Sequence, residues 1–184
     1  GSTGTGKSNA VYHLLDEITK DGRTSFLVVE PAKGGYKNVF GSRADVKGFG
    51  TNPRETPLLR INPFAFPQNI HILEHIDRLV EIFNACWPMY AAMPAVLKDA
   101  IERSYQKVGW DLRNSESEKG VFPTFFDLLD ILPGVIEESH YSKDTQSDYV
   151  GALCTRVKSL TNGIYGSVFC AEDALSDAEL FDCN

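Results

Sequence analysis

The chain opens with Gly1-Ser2-Thr3-Gly4-Thr5-Gly6-Lys7-Ser8, which satisfies the spacing G-x-x-x-x-G-K-[ST] in full. Glycines let the backbone turn through conformations closed to other residues, so consecutive N–H groups can converge on one point. Such a nest suits an anion, and a helix opening directly after it adds its positive end to the same attraction. In that arrangement Gly1, Thr3, Gly4, Thr5 and Gly6 line the cradle, with Asn9 beside it. Lys7 reaches the β- and γ-phosphates of a nucleoside triphosphate, and the Ser8 hydroxyl completes the shell of a bound Mg²⁺. The pattern therefore predicts ATP and Mg²⁺ as ligands. A flexible terminus rich in Gly, Ser and Thr is the plainer reading of the same residues, and the sequence that follows argues against it.

Residues 9–20 place Val11, Leu14, Leu15 and Ile18 on one helical face, and Asp21-Gly22 supplies a stop. Ser25-Phe26-Leu27-Val28-Val29-Glu30 then reads as a short buried strand. Loop, helix and strand in that order make the second half of a βαβ unit. The strand that should feed the loop does not precede Gly1, and the chain reads as a piece cut from a larger protein. Weak ATP binding and negligible hydrolysis by this stretch on its own are expected.

The 184 residues are enough for a sizeable core. A net charge of -7 supplies no global basic field for nucleic acid, so DNA contact is expected only through other parts of a parent protein. No apolar run approaches the length of a membrane span. Cys86, Cys154, Cys170 and Cys183 lie far apart, which predicts reduced, packed thiols and a cytoplasmic protein.

Further on, Pro31-Ala32-Lys33-Gly34-Gly35-Tyr36 is a turn at a strand's C-terminal end, where ligands sit in open α/β sheets. There Lys33 and Tyr36 either flank a nucleotide or belong to an ordinary surface turn. A helical turn is expected over 36–40 and short strands over 45–49 and 58–61. Helical periodicity then covers 70–87, 94–108, a segment N-capped by Thr124 and interrupted at Pro133-Gly134, and 144–160. Residues 164–170 return to strand-like composition. The expected fold class is α/β, a partial P-loop (RecA-like) sheet edge with a mostly helical insertion. Its parts are an N-terminal core at 1–67, the insertion at 68–162, and a return toward the core sheet at 163–184. The acidic strand of a Walker B motif is not found, so the catalytic acids are expected outside the chain.

Several stretches together resemble the HerA-like branch of the HerA–FtsK superfamily of P-loop ATPases. They are residues 1–9, Val29-Glu30-Pro31-Ala32-Lys33-Gly34-Gly35-Tyr36-Lys37, residues 70–92 and residues 153–163. The resemblance implies a RecA-like core, ATP hydrolysis, assembly into a hexameric ring, and use of the energy to move DNA or protein. The family carries an acidic residue one position before the tyrosine of the turn. This sequence has Gly35 there, and Glu30 is the nearest acid.

Other constellations have competing readings. His71-Ile72-Leu73-Glu74-His75 fits H-x-x-E-H, a metal-ligand order, with Glu137 or Glu138 as a third ligand; an amphipathic helix with a polar edge explains it as well. Glu137-Glu138 and Asp127/Asp130 are carboxylate pairs that solvated helix faces explain. Arg156 and Lys158 suit either an arginine finger for a neighbouring subunit or surface ion pairs. Trp87, Tyr90 and Trp110 read as packing, and His13 as structural. Two further functions stay open. One is a P-loop nucleotide or small-molecule kinase, although the arginines are too scattered for a lid. The other is a non-catalytic docking module formed by the helical insertion.

Overall fold

A computed structural model describes residues 6–31, 34–171, 174 and 175. They fall into two compact units, one reaching Pro57 and one starting at Leu58.

The first unit begins with α1 (Lys7–Thr19), entered from Gly6 at φ 76. Gly22, at φ 70, follows its end. Helical spacing gives α1 two apolar edges. Tyr12, Leu15 and Thr19 are half-buried, whereas Val11, Leu14 and Ile18 are exposed. Residues 24–30 run extended, and α2 (Gly35–Phe40) follows. The small core is the Phe40 ring, met by Tyr12 at 6.0 Å and by Phe26 at 5.4 Å between centroids. Arg43 lies 5.8 Å from the same centroid and donates to Asp16 (3.0 Å) and Asp45 (2.6 Å).

The strand expected over 25–30 is extended but forms no ladder among the described residues. Its side chains alternate as a strand's do, with Phe26 and Val28 half-buried and Leu27 and Val29 exposed. A strand is defined by its neighbour, and an extended segment without one stays unpaired. The segment 45–49 forms no ladder and 58–61 contributes a single isolated bridge residue, Leu58, so the expected sheet edge is absent from the described residues.

The second unit is helical. Its helices are α3 (Ile72–Cys86), α4 (Met93–Lys107), α5 (Phe125–Glu138), α6 (Lys143–Tyr149), α7 (Thr155–Leu160) and α8 (Gly163–Phe169). A π-helical turn, Val150–Cys154, joins α6 to α7. The hairpin β1 (Trp110–Asp111) and β2 (Glu116–Ser117) is the only sheet among the described residues, pairing Trp110 with Ser117 and Asp111 with Glu116. The α/β expectation thus gives way to an α-rich fold.

The core of this unit follows the predicted stripes. Ile72, Ile76, Leu79 and Phe83 of α3 meet Val96, Leu97, Ala100, Ile101 and Tyr105 of α4 and Phe125, Leu128, Leu132, Val135 and Ile136 of α5. Thr124 caps α5 as expected, in a full capping box with Asp127. Pro133, in contrast, does not interrupt the helix. A helix-interior proline costs about 3 kcal/mol, but apolar burial on both sides of it outweighs that. Of residues 164–170, expected as strand, 164–169 lie in α8 and Cys170 caps its end. A short apolar run does not by itself choose its period. Here Val168 is buried on one helical face, and its carbonyl accepts from Ile61 N–H at 2.9 Å.

Candidate functional site

Gly1, Thr3, Gly4 and Thr5 lie outside the described residues. From Gly6 onward the local geometry is defined. Gly6 occupies the left-handed region, where an L side chain is strained, and its carbonyl accepts the Ala10 N–H at 2.9 Å. Lys7 is the first residue of α1, and Lys7, Ser8 and Asn9 are all exposed on its first turn. That turn holds no acidic residue, and no side chain caps it. The turn therefore offers N–H groups and the positive end of a helix dipole, with no carboxylate of its own to neutralise them. Residues of this kind suit the phosphates of ATP and, through the Ser8 hydroxyl, Mg²⁺.

Glu30 stands at the C-terminal end of the extended segment. Its Oε1 accepts the Gly35 N–H at 2.9 Å and its Oε2 accepts the Tyr36 N–H at 3.2 Å. The carboxylate is thus committed to the first turn of α2. Tyr12 reaches from α1 to the same place, its ring 4.9 Å from that of Tyr36 and edge-on to it. A Cβ added at Gly35 would lie 2.7 Å from the Tyr12 hydroxyl and 3.4 Å from Glu30 Oε1. An acidic side chain at position 35 would displace Tyr12 and meet the Glu30 charge, which is a physical reason for glycine there. Lys33 lies outside the described residues. This clasp was invisible to motif reading; its only trace in the sequence is an acid five positions before a Gly-Tyr pair.

The H-x-x-E-H residues do not converge. His71 precedes α3 and caps it, Nδ1 accepting the Leu73 N–H at 3.2 Å. His75 Nε2 lies 3.1 Å from the Pro63 carbonyl, and Glu74 pairs with Arg78 at 2.8 Å. Among the described residues no group of three or more His, Cys, Asp or Glu is placed to hold a metal ion. Of the carboxylate pairs, Glu137 is exposed and the other three carboxylates are engaged. Asp127 caps α5, Asp130 accepts from Lys107 at 2.8 Å, and Glu138 accepts from Arg103 at 2.6 Å. The Lys107 ammonium holds the Asp130 carboxyl below its ordinary value.

Arg156 sits on α7 with its Nη1 buried and without a hydrogen-bond partner, while Lys158 is exposed. Trp87 stacks on Phe83 and Trp110 on Phe122, both as packing; Tyr90 is exposed. His13 is exposed, 3.9 Å from Glu17. Cys86 is exposed, whereas Cys154 and Cys170 are half-buried free thiols whose burial pushes their pKa up. Two open depressions flank the loop between α5 and α6, with volumes of about 310 and 430 Å³. No helix among the described residues is long and apolar enough to cross a membrane.

Comparison with protein-family models, with curated proteins and with solved structures finds no match to this chain.

Proposed function

We propose that residues 1–9 hold the phosphates of ATP with Mg²⁺, and that the chain is the nucleotide-binding portion of a HerA-like ATPase that moves DNA or protein. The observation that carries this reading is the junction at Gly6. The last glycine of the pattern takes the left-handed backbone that ends a loop, Lys7 starts a helix, and the first turn offers N–H groups with no acid among them. In this reading Gly1, Thr3, Gly4, Thr5 and Gly6 surround the phosphates with backbone N–H groups. Lys7 balances the charge of the β- and γ-phosphates, and Ser8 ligates Mg²⁺. ATP supplies the phosphoanhydride whose hydrolysis yields the energy. In the same reading residues 25–30 pair through their main chain with partner strands, and the exposed Leu27 and Val29 point to one face of that sheet, where a covering element would pack. Assembly into a hexameric ring, catalytic acids from elsewhere and DNA contact through other parts belong to the same proposal. Arg156 stays a candidate finger residue only if its buried nitrogen is released.

Titration calorimetry of the chain with ATP and Mg²⁺ tests the reading. The expected result is weak, Mg²⁺-dependent binding that Lys7→Ala reduces at least tenfold, about 1.4 kcal/mol. Binding of equal strength in the variant would remove the basis of the proposal.

A further inference from the structure

We infer that Glu30 and Tyr12 are positioning residues for the phosphate-binding helix, an inference that rests on the nucleotide reading above. Both oxygens of Glu30 are occupied by main-chain donors, Gly35 N–H at 2.9 Å and Tyr36 N–H at 3.2 Å. Paired N–H bonds to a carboxylate are charge-assisted and fix direction as well as distance. The grip ties the end of the extended segment to the first turn of α2. Tyr12, from the second turn of α1, rests its hydroxyl over Gly35 and its ring edge-on to Tyr36, and it also meets Phe40. Gly35 permits this approach because it has no Cβ. Three elements therefore meet at one point, and the helix that presents Lys7 and Ser8 is held there by its own side chain.

The arrangement gives Glu30 a role in placement. Each of its oxygens spends one lone pair on a main-chain N–H, so the first turn of α2 fixes the carboxylate's orientation. A residue that sets the placement of the phosphate-binding helix affects ADP and ATP alike, because the β-phosphate contact depends on that placement. A residue serving the γ-phosphate or its attacking water affects ATP alone.

The test measures affinities of the full chain for fluorescent ADP and ATP analogues with Mg²⁺, beside its melting curve. Glu30→Ala is expected to weaken both nucleotides about tenfold and equally, as small misplacements of binding groups do. Glu30→Gln, which retains one acceptor, should weaken them less. Gly35→Ala drives a methyl against the Tyr12 hydroxyl and should also weaken both, with recovery when Tyr12→Phe is added. Should Glu30→Ala fail to fold, the Gly35→Ala and Gly35→Ala/Tyr12→Phe pair decides the matter. Lys7→Ala separates the two levels. If Lys7→Ala abolishes binding but the Glu30 and Gly35 variants bind as the parent does, the inference is overturned and the nucleotide reading stands. Loss of ATP affinity alone in Glu30→Ala overturns it in favour of a γ-phosphate role. Binding indifferent to Lys7→Ala overturns both.

Discussion

The two units of this chain use apolar residues in opposite ways. From Leu58 onward, the stripes of α3, α4 and α5 close on one another, and residues such as Phe64, Leu97, Ile101 and Leu128 are wholly buried. Up to Pro57, Phe40 is the one buried hydrophobic side chain among the described residues, while Val11, Leu14, Ile18, Leu27 and Val29 stay exposed. Both stretches carry the periodicity of elements that pack. Periodicity states which face wants burial and not whether a cover is present. The second unit contains its own covers. The first presents a helix edge and one face of an extended segment that nothing among the described residues covers.

The largest expected contrast comes from truncating side chains in each unit. Phe64→Ala should cost about 3–5 kcal/mol in denaturant unfolding, as lost transfer energy plus a cavity. Leu27→Ala, at a side chain 67% exposed, should stay within about 0.5 kcal/mol. Both tryptophans, Trp87 and Trp110, lie in the second unit, so their fluorescence reports that unit. Phe40→Ala should accordingly loosen the first unit while leaving the tryptophan transition in place. A shift of that transition by Phe40→Ala would mean that the units unfold together.

Next in size is Tyr105→Phe. The buried Tyr105 hydroxyl donates to the Phe64 carbonyl, and its removal strands that acceptor at about 1–3 kcal/mol. Burial raises the Tyr105 pKa above 10, the value an exposed phenol has. Its contribution is fully present below pH 10 and is lost as pH rises beyond, because the unfolded phenol ionises first. Stability measured against pH should therefore fall on the alkaline side, and less steeply in Tyr105→Phe. Thr124→Ala comes third, at about 1 kcal/mol for the lost cap of α5.

The smallest effect belongs to the surface of the first unit. The Arg43 guanidinium, hydrogen-bonded to Asp45, holds that carboxyl below its ordinary value. The stabilisation is present above the unfolded carboxylate pKa and is lost as pH falls through the depressed one. Arg43→Met should return Asp45 to the usual range in a carboxylate NMR titration, with little change in melting. An unchanged Asp45 titration would mean that the pair does not persist in solution.

Much of the second unit was legible in the sequence, because α3, α4 and α5 are long and their stripes regular. The Thr124 cap was legible as well, since a threonine three residues before an acid at a helix start has one economical geometry. Pro133 misled because a local rule yields to dense burial on both sides of it. Residues 164–170 misled because a run of seven carries too little period to separate strand from helix. The strand over 25–30 has the right alternation and no ladder partner among the described residues, and pairing is a non-local property. At the candidate site, the Gly6–Lys7 junction was foreseeable from spacing. The Glu30 clasp was not, because it joins a side chain to main-chain donors that no residue pattern names.

Backbone hydrogen exchange of the chain with and without ATP and Mg²⁺, read residue by residue, tests the phosphate cradle most directly. The account predicts that ATP slows exchange at residues 6–9 and at Gly35 and Tyr36, leaves α3 to α5 unchanged, and has no such effect in Lys7→Ala. Protection confined to the second unit, or equal protection in Lys7→Ala, would contradict it.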